Sequence, residues 1–220
     1  MNRNIYHGSK TIIRSPKFGT GWAYNDFGLG FYCCENPENA AEWAASRDSG
    51  GFISAYMLDC SGLRIIDLCS SQYSLLHWLY VLLMFREFDP SGRIRRAKEY
   101  ISKEFSLDYQ ASDCIIGYRA DNSNFALAAD FLNGKISYEL LRSLIAESSA
   151  GRQFVLKSNR AFERILYTGY ETIRSSDYYP LSVSAELARM KKAKEARDDK
   201  GLYITQMIEE DIKSYDTRLR

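Results

Sequence analysis

The longest apolar run of the chain, LLHWLYVLLMF at residues 75–85, limits the possible folds more than any other segment. As a helix it would be about 16 Å long, since each residue adds about 1.5 Å. The hydrocarbon core of a bilayer is about 30 Å thick, so the run is too short to span it. We therefore expect a buried helix with a globular core built around it, and no membrane-spanning segment. His77 stands inside the run and is expected to be a packed helix residue.

Strand-like and helix-like segments follow one another irregularly on both sides of this run. Short apolar or alternating stretches predict strands, and the capping residue Asn36 followed by a proline predicts that a helix begins at Pro37. The predicted strands are NIYH, FYCC, FISAYML, LRIIDL, CIIGY, QFVLK and ILYTGYETI. The predicted helices cover residues 37–46, 74–88, 93–105, 123–131 and 137–147. Because the order lacks a regular β-α-β alternation, the sequence predicts the α+β class.

The chain of 220 residues is long enough for one substantial core but short for two full domains. Its composition changes after about Tyr179, where alanine, lysine, glutamate and arginine become frequent and large apolar residues become rare. We therefore predict one domain over residues 1–179 and a charged helical C-terminal extension over residues 180–220. The extension is expected to form surface helices over residues 184–200 and 202–215, which could also dock onto a partner.

Charge and cysteine content exclude several classes of protein. The 29 lysines and arginines nearly balance the 28 aspartates and glutamates, so no overall field attracts the chain to nucleic acid or to an acidic membrane. The five cysteines are odd in number and lack C-x-x-C spacing, which argues against a disulfide framework or a structural metal. The first residues contain no apolar run of signal-peptide length. We therefore expect a cytoplasmic protein without a metal cofactor.

Four short motifs, far apart along the chain, contain the candidate functional residues. His7 lies in YHGS within the first predicted strand, and Tyr32 ends the segment DFGLGFY. Trp43 lies in AAEWAA on the first predicted helix, and Gln153 opens the late strand QFVLK. Each motif alone is weak, since His7 could be a half-buried strand residue and the two aromatic residues could belong to the core. Their order and spacing together carry the functional signal.

This arrangement resembles the ADP-ribosyltransferases of the diphtheria-toxin and poly-ADP-ribose-polymerase type. Over about residues 4–168 it is most similar to a bacterial family of ADP-ribosyltransferase-like proteins that are often toxins of toxin–antitoxin pairs. The resemblance implies a fold of split, mostly antiparallel sheets around an NAD cleft, with a helical insert. It also implies that NAD is a substrate, with release of nicotinamide and a single transfer to a cytoplasmic protein or nucleic acid. A cognate antitoxin is a further implied partner.

The resemblance assigns a role to several residues. His7 would bind a ribose hydroxyl on the adenosine side, and Gly8 would let the backbone approach the nicotinamide amide. Tyr32 would stack on the nicotinamide ring, with Trp43 on its other face. The remaining implied NAD-site residues are Ser9, Asp26, Phe27 and Gly30. Asp26 and Phe27 would shape the adenosine pocket, although a turn aspartate and a buried phenylalanine explain them equally well.

Gln153 departs from the pattern, because many relatives carry glutamate at this position. Glutamine can make the same hydrogen bond to the nicotinamide ribose but has no charge to stabilise a cationic transition state. The implied catalytic set is therefore His7, Tyr32 and Gln153, with single transfer favoured over polymer elongation. Glu163 could substitute as the acid, but its helical pattern favours a surface position. Arg119 and Asp121 could contact a pyrophosphate or the acceptor, or pair with each other.

Two other functions fit the same motifs. A binding module for NAD or ADP-ribose would keep the cleft without catalysis, and the neutral Gln153 is its best support. An RNA-processing transferase, such as a 2′-phosphate transferase, would use the same scaffold. Enzymes of that kind rely on arginines and a second histidine that have no match in this sequence.

Overall fold

The computed structural model describes residues 1–46, 48–89, 92–148, 150–195 and 201–220. Its strands are β1 (Asn2–Ser9), β2 (Phe31–Cys33), β3 (Gly51–Asp59), β4 (Ile65–Asp67), β5 (Cys114–Tyr118), β6 (Arg152–Leu156) and β7 (Ile165–Ile173). Its helices are α1 (Pro37–Ala44), α2 (Leu75–Phe85), α3 (Gly92–Glu104), α4 (Asn122–Leu132), α5 (Tyr138–Ala146), α6 (Asn159–Phe162), α7 (Ser175–Glu195) and α8 (Ile204–Glu209). A 3₁₀ turn, Thr217–Leu219, follows α8. The predicted α+β class is confirmed.

Two sheets form the centre of the fold. One is antiparallel with the order β1-β3-β7, and the other is mixed with the order β2-β6-β5-β4, in which β4 and β5 are parallel. The sheets meet where the Tyr6 N–H donates to the Cys34 carbonyl at 2.8 Å and the Cys34 N–H donates back at 2.9 Å. This contact brings the end of β2 beside β1, so that residues predicted to act together lie next to each other.

Helix α2 is the buried helix that the apolar run predicts. Trp78, Leu79 and Leu82 are fully buried in the main core, and the Trp78 indole donates to the Tyr118 carbonyl at 2.8 Å. His77 is half-buried, and its ring packs against neighbouring aromatic rings as expected of a helix residue. The apolar run is therefore the centre of this main core, and residues of α3, α4, α5 and the second sheet pack around it.

Two predicted helices end earlier than expected. Helix α2 stops at Phe85 because Arg86 adopts an extended backbone, and its guanidinium pairs with Asp26 at 2.6 Å. Helix α1 stops at Ala44, and Ser46 instead forms an isolated antiparallel bridge with Ser49. In both cases a residue that was expected to be helical instead contacts a residue outside the helix.

The C-terminal part of the chain differs from its prediction. Helix α7 begins at Ser175, so the predicted boundary between residues 179 and 180 lies inside a helix. Side chains that follow Gly201 are buried in the main core, namely Ile204, Met207, Ile212 and Leu219. The expected surface extension is therefore wrong for this stretch, because a few widely spaced apolar residues suffice to anchor it. Residues 196–200 of the predicted helix lie outside the described residues.

None of the helices in the described ranges combines the length and the apolar character that a membrane-spanning helix requires. No group of three or more histidine, cysteine, aspartate or glutamate side chains is arranged there to hold a metal ion.

We predict that Met207→Ala lowers the free energy of unfolding by about 2–5 kcal/mol, because the fully buried side chain leaves a cavity in the core. Leu187→Ala on α7 is the matched control, since Leu187 is 61% exposed and its truncation should change stability by less than about 0.5 kcal/mol. Urea unfolding of the two variants makes the comparison. Equal, small effects would mean that the C-terminal stretch unfolds independently of the core.

Candidate active site

A cavity of about 540 Å³ opens where the two sheets meet. It brings together five of the residues predicted from sequence: His7, Gly30, Tyr32, Trp43 and Gln153. They come from β1, the loop before β2, β2, α1 and β6. Arg119, which follows β5, and the long connection between β1 and β2 supply much of the remaining lining.

His7 is held as a neutral hydrogen-bond acceptor. Its Nδ1 lies 2.7 Å from the carbonyl oxygen of Tyr32, and because a carbonyl only accepts, Nδ1 carries the proton. Burial lowers the pKa of His7 below its usual value of 6.5, although the hydrogen bond to Tyr32 opposes this shift. The Nε2 atom of the neutral ring is therefore an acceptor, suited to a hydroxyl group of a ligand.

Tyr32 presents its ring rather than its hydroxyl. The hydroxyl donates to the Gly28 carbonyl at 2.6 Å and accepts from the Phe27 N–H at 3.0 Å. Burial raises the pKa of Tyr32 far above its usual value, so the phenol stays neutral. With both ends of the side chain anchored, the ring is a fixed wall of the cavity, as a stacking surface requires.

Trp43 and Arg119 form a second wall. The Arg119 guanidinium carbon lies 5.2 Å from the centre of the Trp43 ring, within cation–π distance. The Trp43 Nε1 atom is buried and has no hydrogen-bond partner in the part of the chain that the structure describes. A buried indole N–H ordinarily has a partner, so this donor is an exception that the described protein groups leave unsatisfied.

Arg119 brings a positive charge into the cavity. Asp121, which the sequence offered as its partner, instead pairs with Arg189 at 2.6 Å and caps α4. Within the described ranges no carboxylate forms an ion pair with the Arg119 guanidinium. Burial lowers the pKa of Arg119, and the negative charges of Asp121 and Glu42 oppose this shift, so the group stays charged. The cavity is therefore suited to an anion beside an aromatic ring.

Gln153 lies on the floor of the cavity and is 6% exposed. Its Nε2 donates to Asp26 Oδ2 at 3.1 Å, and its Oε1 is buried without a hydrogen-bond partner among the described residues. The carboxylate of Asp26 only accepts, which determines which end of the amide faces it. Gln153 therefore keeps one acceptor that no group in the described ranges satisfies.

Asp26 and Phe27 are not among the residues that line the cavity, and their expected part in shaping an adenosine pocket stays a prediction. Phe27 is fully buried in the main core, and Asp26 is 5% exposed. Their segment lies behind the cavity wall, where it holds the hydroxyl of Tyr32 and the amide of Gln153. Both residues support residues that line the cavity.

Gly8 and Ser9 are also absent from the cavity lining. A Cβ atom on Gly8 would lie 1.8 Å from the carbonyl oxygen of Ala40, so the close approach of α1 to β1 already requires glycine there. The Ser9 hydroxyl donates to the Thr11 carbonyl at 2.6 Å. The expected contact between Gly8 and a nicotinamide amide remains a prediction.

Two features of the site were not assigned from sequence. The sequence does not decide between a ligand contact and an ion pair for Arg119, since its neighbour Asp121 is an equally good partner. The contribution of the β1–β2 connection had only a weak signal, its glycines and polar residues, which are common in any loop. Glu163, the alternative acid, is an exposed residue at the end of α6 and does not line the cavity.

Comparison with known proteins finds a family match. The model of the DUF3990 family, described as a protein of unknown function, matches residues 3–167. The chain belongs to the DUF3990 family. The matched DUF3990 range contains every cavity residue named above and ends within β7, so α7 and α8 lie beyond it. No curated protein and no solved structure matches the chain.

We predict that the His7 ring titrates with a midpoint below 6.5, because the folded environment disfavours the charged form. The stability that neutral His7 contributes is then present above about pH 6.5 and is lost as the pH falls through its lower folded-state pKa. A ¹H–¹³C NMR titration of the two histidines measures the midpoint, with His77→Gln to assign the signals. A His7 midpoint at or above 6.5 would contradict the neutral acceptor.

Proposed function

We propose that this DUF3990 protein is an NAD-dependent mono-ADP-ribosyltransferase that binds NAD in the cavity between its sheets. One observation carries the proposal: a neutral histidine acceptor, two aromatic walls, a guanidinium without an ion-pair partner among the described residues and a free amide oxygen converge on a single cavity. The order of the motifs along the chain, which resembles that of ADP-ribosyltransferases, supports the same conclusion.

Each group in the cavity matches a part of NAD. A ribose hydroxyl can donate to Nε2 of His7, and the nicotinamide ring can stack against Tyr32 and Trp43. The diphosphate carries the negative charge that Arg119 would bind. The Oε1 atom of Gln153 can accept from a hydroxyl of the nicotinamide ribose. The volume of about 540 Å³ lies within the range of about 300–1,000 Å³ that is typical of small-molecule sites.

The proposed reaction exchanges one bond for another at the anomeric carbon of the nicotinamide ribose. The carbon–nitrogen bond breaks, and its electron pair leaves with nicotinamide, which becomes neutral. A lone pair of the acceptor forms the new bond, and the acceptor releases its proton to solvent. Positive charge develops on the sugar in between, so catalysis depends on holding the sugar in place and on an oxygen directed at that charge. Neutral His7 and Tyr32 are positioning groups in this scheme and transfer no proton.

The wider role that we propose is that of a toxin in a bacterial toxin–antitoxin or phage-defence system. The target would be a cytoplasmic protein or nucleic acid, with a cognate antitoxin as partner. This role is supported by the resemblance to toxin-pair proteins. Production of the wild type in a bacterial host should arrest growth, and His7→Ala should relieve the arrest at equal protein levels.

We predict that Trp43→Ala weakens NAD binding by about 10- to 100-fold, about 1.4–2.8 kcal/mol, because both a stacking face and an indole donor are lost. Trp43→Phe is the matched control: it keeps the ring face and should lose less affinity. Isothermal titration calorimetry with NAD measures both variants, and circular dichroism checks their fold. Wild-type affinity in a folded Trp43→Ala variant would mean that NAD does not occupy this cavity.

Arg119→Met should weaken the binding of NAD and of ADP-ribose by about tenfold or more, because a buried charge-assisted contact to the diphosphate is lost. Nicotinamide riboside has no phosphate, and its affinity should be unchanged. The same calorimetric titration with the three ligands tests this. Equal losses for all three ligands would show that Arg119 shapes the cavity without binding the diphosphate.

Labelled NAD separates transfer from binding. The wild type, incubated with labelled NAD and a bacterial lysate, should release nicotinamide and label a macromolecule, and His7→Ala should do neither. Nuclease or protease treatment of separate portions identifies the acceptor class. Binding of NAD without any release of nicotinamide would favour the binding module, for which the neutral Gln153 is the specific support.

A further inference from the structure

We propose that Asp26 is a positioning residue that supplies, through Gln153, the negative charge that the proposed transfer reaction requires. This inference rests on the proposed function. Gln153 taken alone is neutral, and it stands where many ADP-ribosyltransferases carry a glutamate. Asp26 lies directly behind it, although the two residues are 127 positions apart in the chain.

Three donors hold the Asp26 carboxylate in one orientation. The Arg86 guanidinium donates to Oδ1 at 2.6 Å, and the backbone N–H of Ala120 donates to Oδ2 at 2.9 Å. The third donor is Nε2 of Gln153, 3.1 Å from Oδ2. Since the Asp26 side chain is 7% exposed, water contributes little to the solvation of the carboxylate, and these three donors take the place of water.

The carboxylate acts on the amide in two ways. It fixes the orientation of Gln153, because Nε2 must face the acceptor, and Oε1 is then the atom left for the ligand. It also polarises the amide, since a charge-assisted hydrogen bond to Nε2 draws electron density toward Oε1, and a low local dielectric strengthens this effect. Two residues together then provide what a single glutamate provides elsewhere: a directed oxygen with negative charge close behind it.

Arg86 does not cancel this charge at the site. It binds the other carboxylate oxygen, and its side chain is 32% exposed, against 7% for the Asp26 side chain. Its guanidinium also lies 4.8 Å from the centre of the Phe125 ring. Solvent screens a partly exposed cation more strongly than a buried carboxylate, so the field at the amide keeps the sign of Asp26.

If Asp26 served only to hold the structure together through its ion pair, removing either partner of that pair would lower kcat equally. Two variants separate this structural role from the proposed one. Asp26→Asn and Arg86→Gln both remove the Asp26–Arg86 ion pair, but only Asp26→Asn removes the charge behind Gln153. We expect Asp26→Asn to lower kcat for nicotinamide release by about 10- to 100-fold, with KM for NAD within about twofold of the wild type. Arg86→Gln should keep kcat within about threefold. Burial raises the pKa of Asp26, so both variants are measured at pH 8, since a higher pH favours the ionised carboxylate, and below their melting temperatures.

An exchange of the two side chains tests the pairing directly. The double variant Asp26→Asn/Gln153→Glu keeps one amide and one carboxylate and should recover kcat to within about tenfold of the wild type. Gln153→Glu alone places two carboxylates side by side, which compete for a proton, so it should be less active than the double variant. If Asp26→Asn fails to fold, the double variant Asp26→Asn/Arg86→Gln replaces it, because that variant leaves no unpaired cation. Its kcat is then compared with that of Arg86→Gln.

The outcomes distinguish this inference from the function on which it rests. No nicotinamide release by the wild type overturns the proposed function, and this inference with it. If the wild type is active, equal losses in Asp26→Asn and Arg86→Gln, or a double variant no more active than Asp26→Asn, overturn this inference alone. Low kcat in Asp26→Asn with unchanged KM and recovery in the exchanged pair support it.

Discussion

Two backbone hydrogen bonds between Tyr6 and Cys34, at 2.8 and 2.9 Å, join the two sheets of the fold. They bring β1 alongside β2 just before the two strands diverge into separate sheets. The next residue on β1, His7, can then reach the Tyr32 carbonyl, and the gap between the sheets becomes the cavity. The candidate site depends on this contact, because His7 comes from one sheet while Tyr32 and Gln153 come from the other.

The chemistry of the cavity follows from which polar groups are satisfied by the protein and which are not. The Tyr32 hydroxyl, Nδ1 of His7 and Nε2 of Gln153 all have protein partners that determine their orientation. Oε1 of Gln153 and Nε1 of Trp43 have none among the described residues. A buried polar atom without a partner costs about 1–3 kcal/mol, and a ligand that supplied a partner to these two atoms would offset that cost.

Asp26 connects this site to the core. The buried Asp26 carboxylate accepts hydrogen bonds from Arg86 at the end of α2, from Ala120 after β5 and from the amide of Gln153. Neighbouring Lys157 donates to the Phe27 carbonyl, and burial lowers the pKa of this lysine to about 8. The segment that carries Asp26 and Phe27 is therefore fixed on several sides, which keeps the Tyr32 ring and the Gln153 amide in place before any ligand binds.

The sequence by itself determined the α+β class, the buried α2 and most strand positions, because periodicity and caps report on neighbours only a few residues away. It also placed His7, Tyr32, Trp43 and Gln153 in one candidate site, through the order of their motifs. Only the tertiary structure showed that Asp121 pairs with Arg189 rather than with Arg119, and that Met207 belongs to the core. The pairing of Asp26 with Gln153 likewise arises from contacts across 127 positions, for which no local pattern exists. Such partners are determined by how the strands and helices pack, and this packing depends on the whole chain rather than on any short segment.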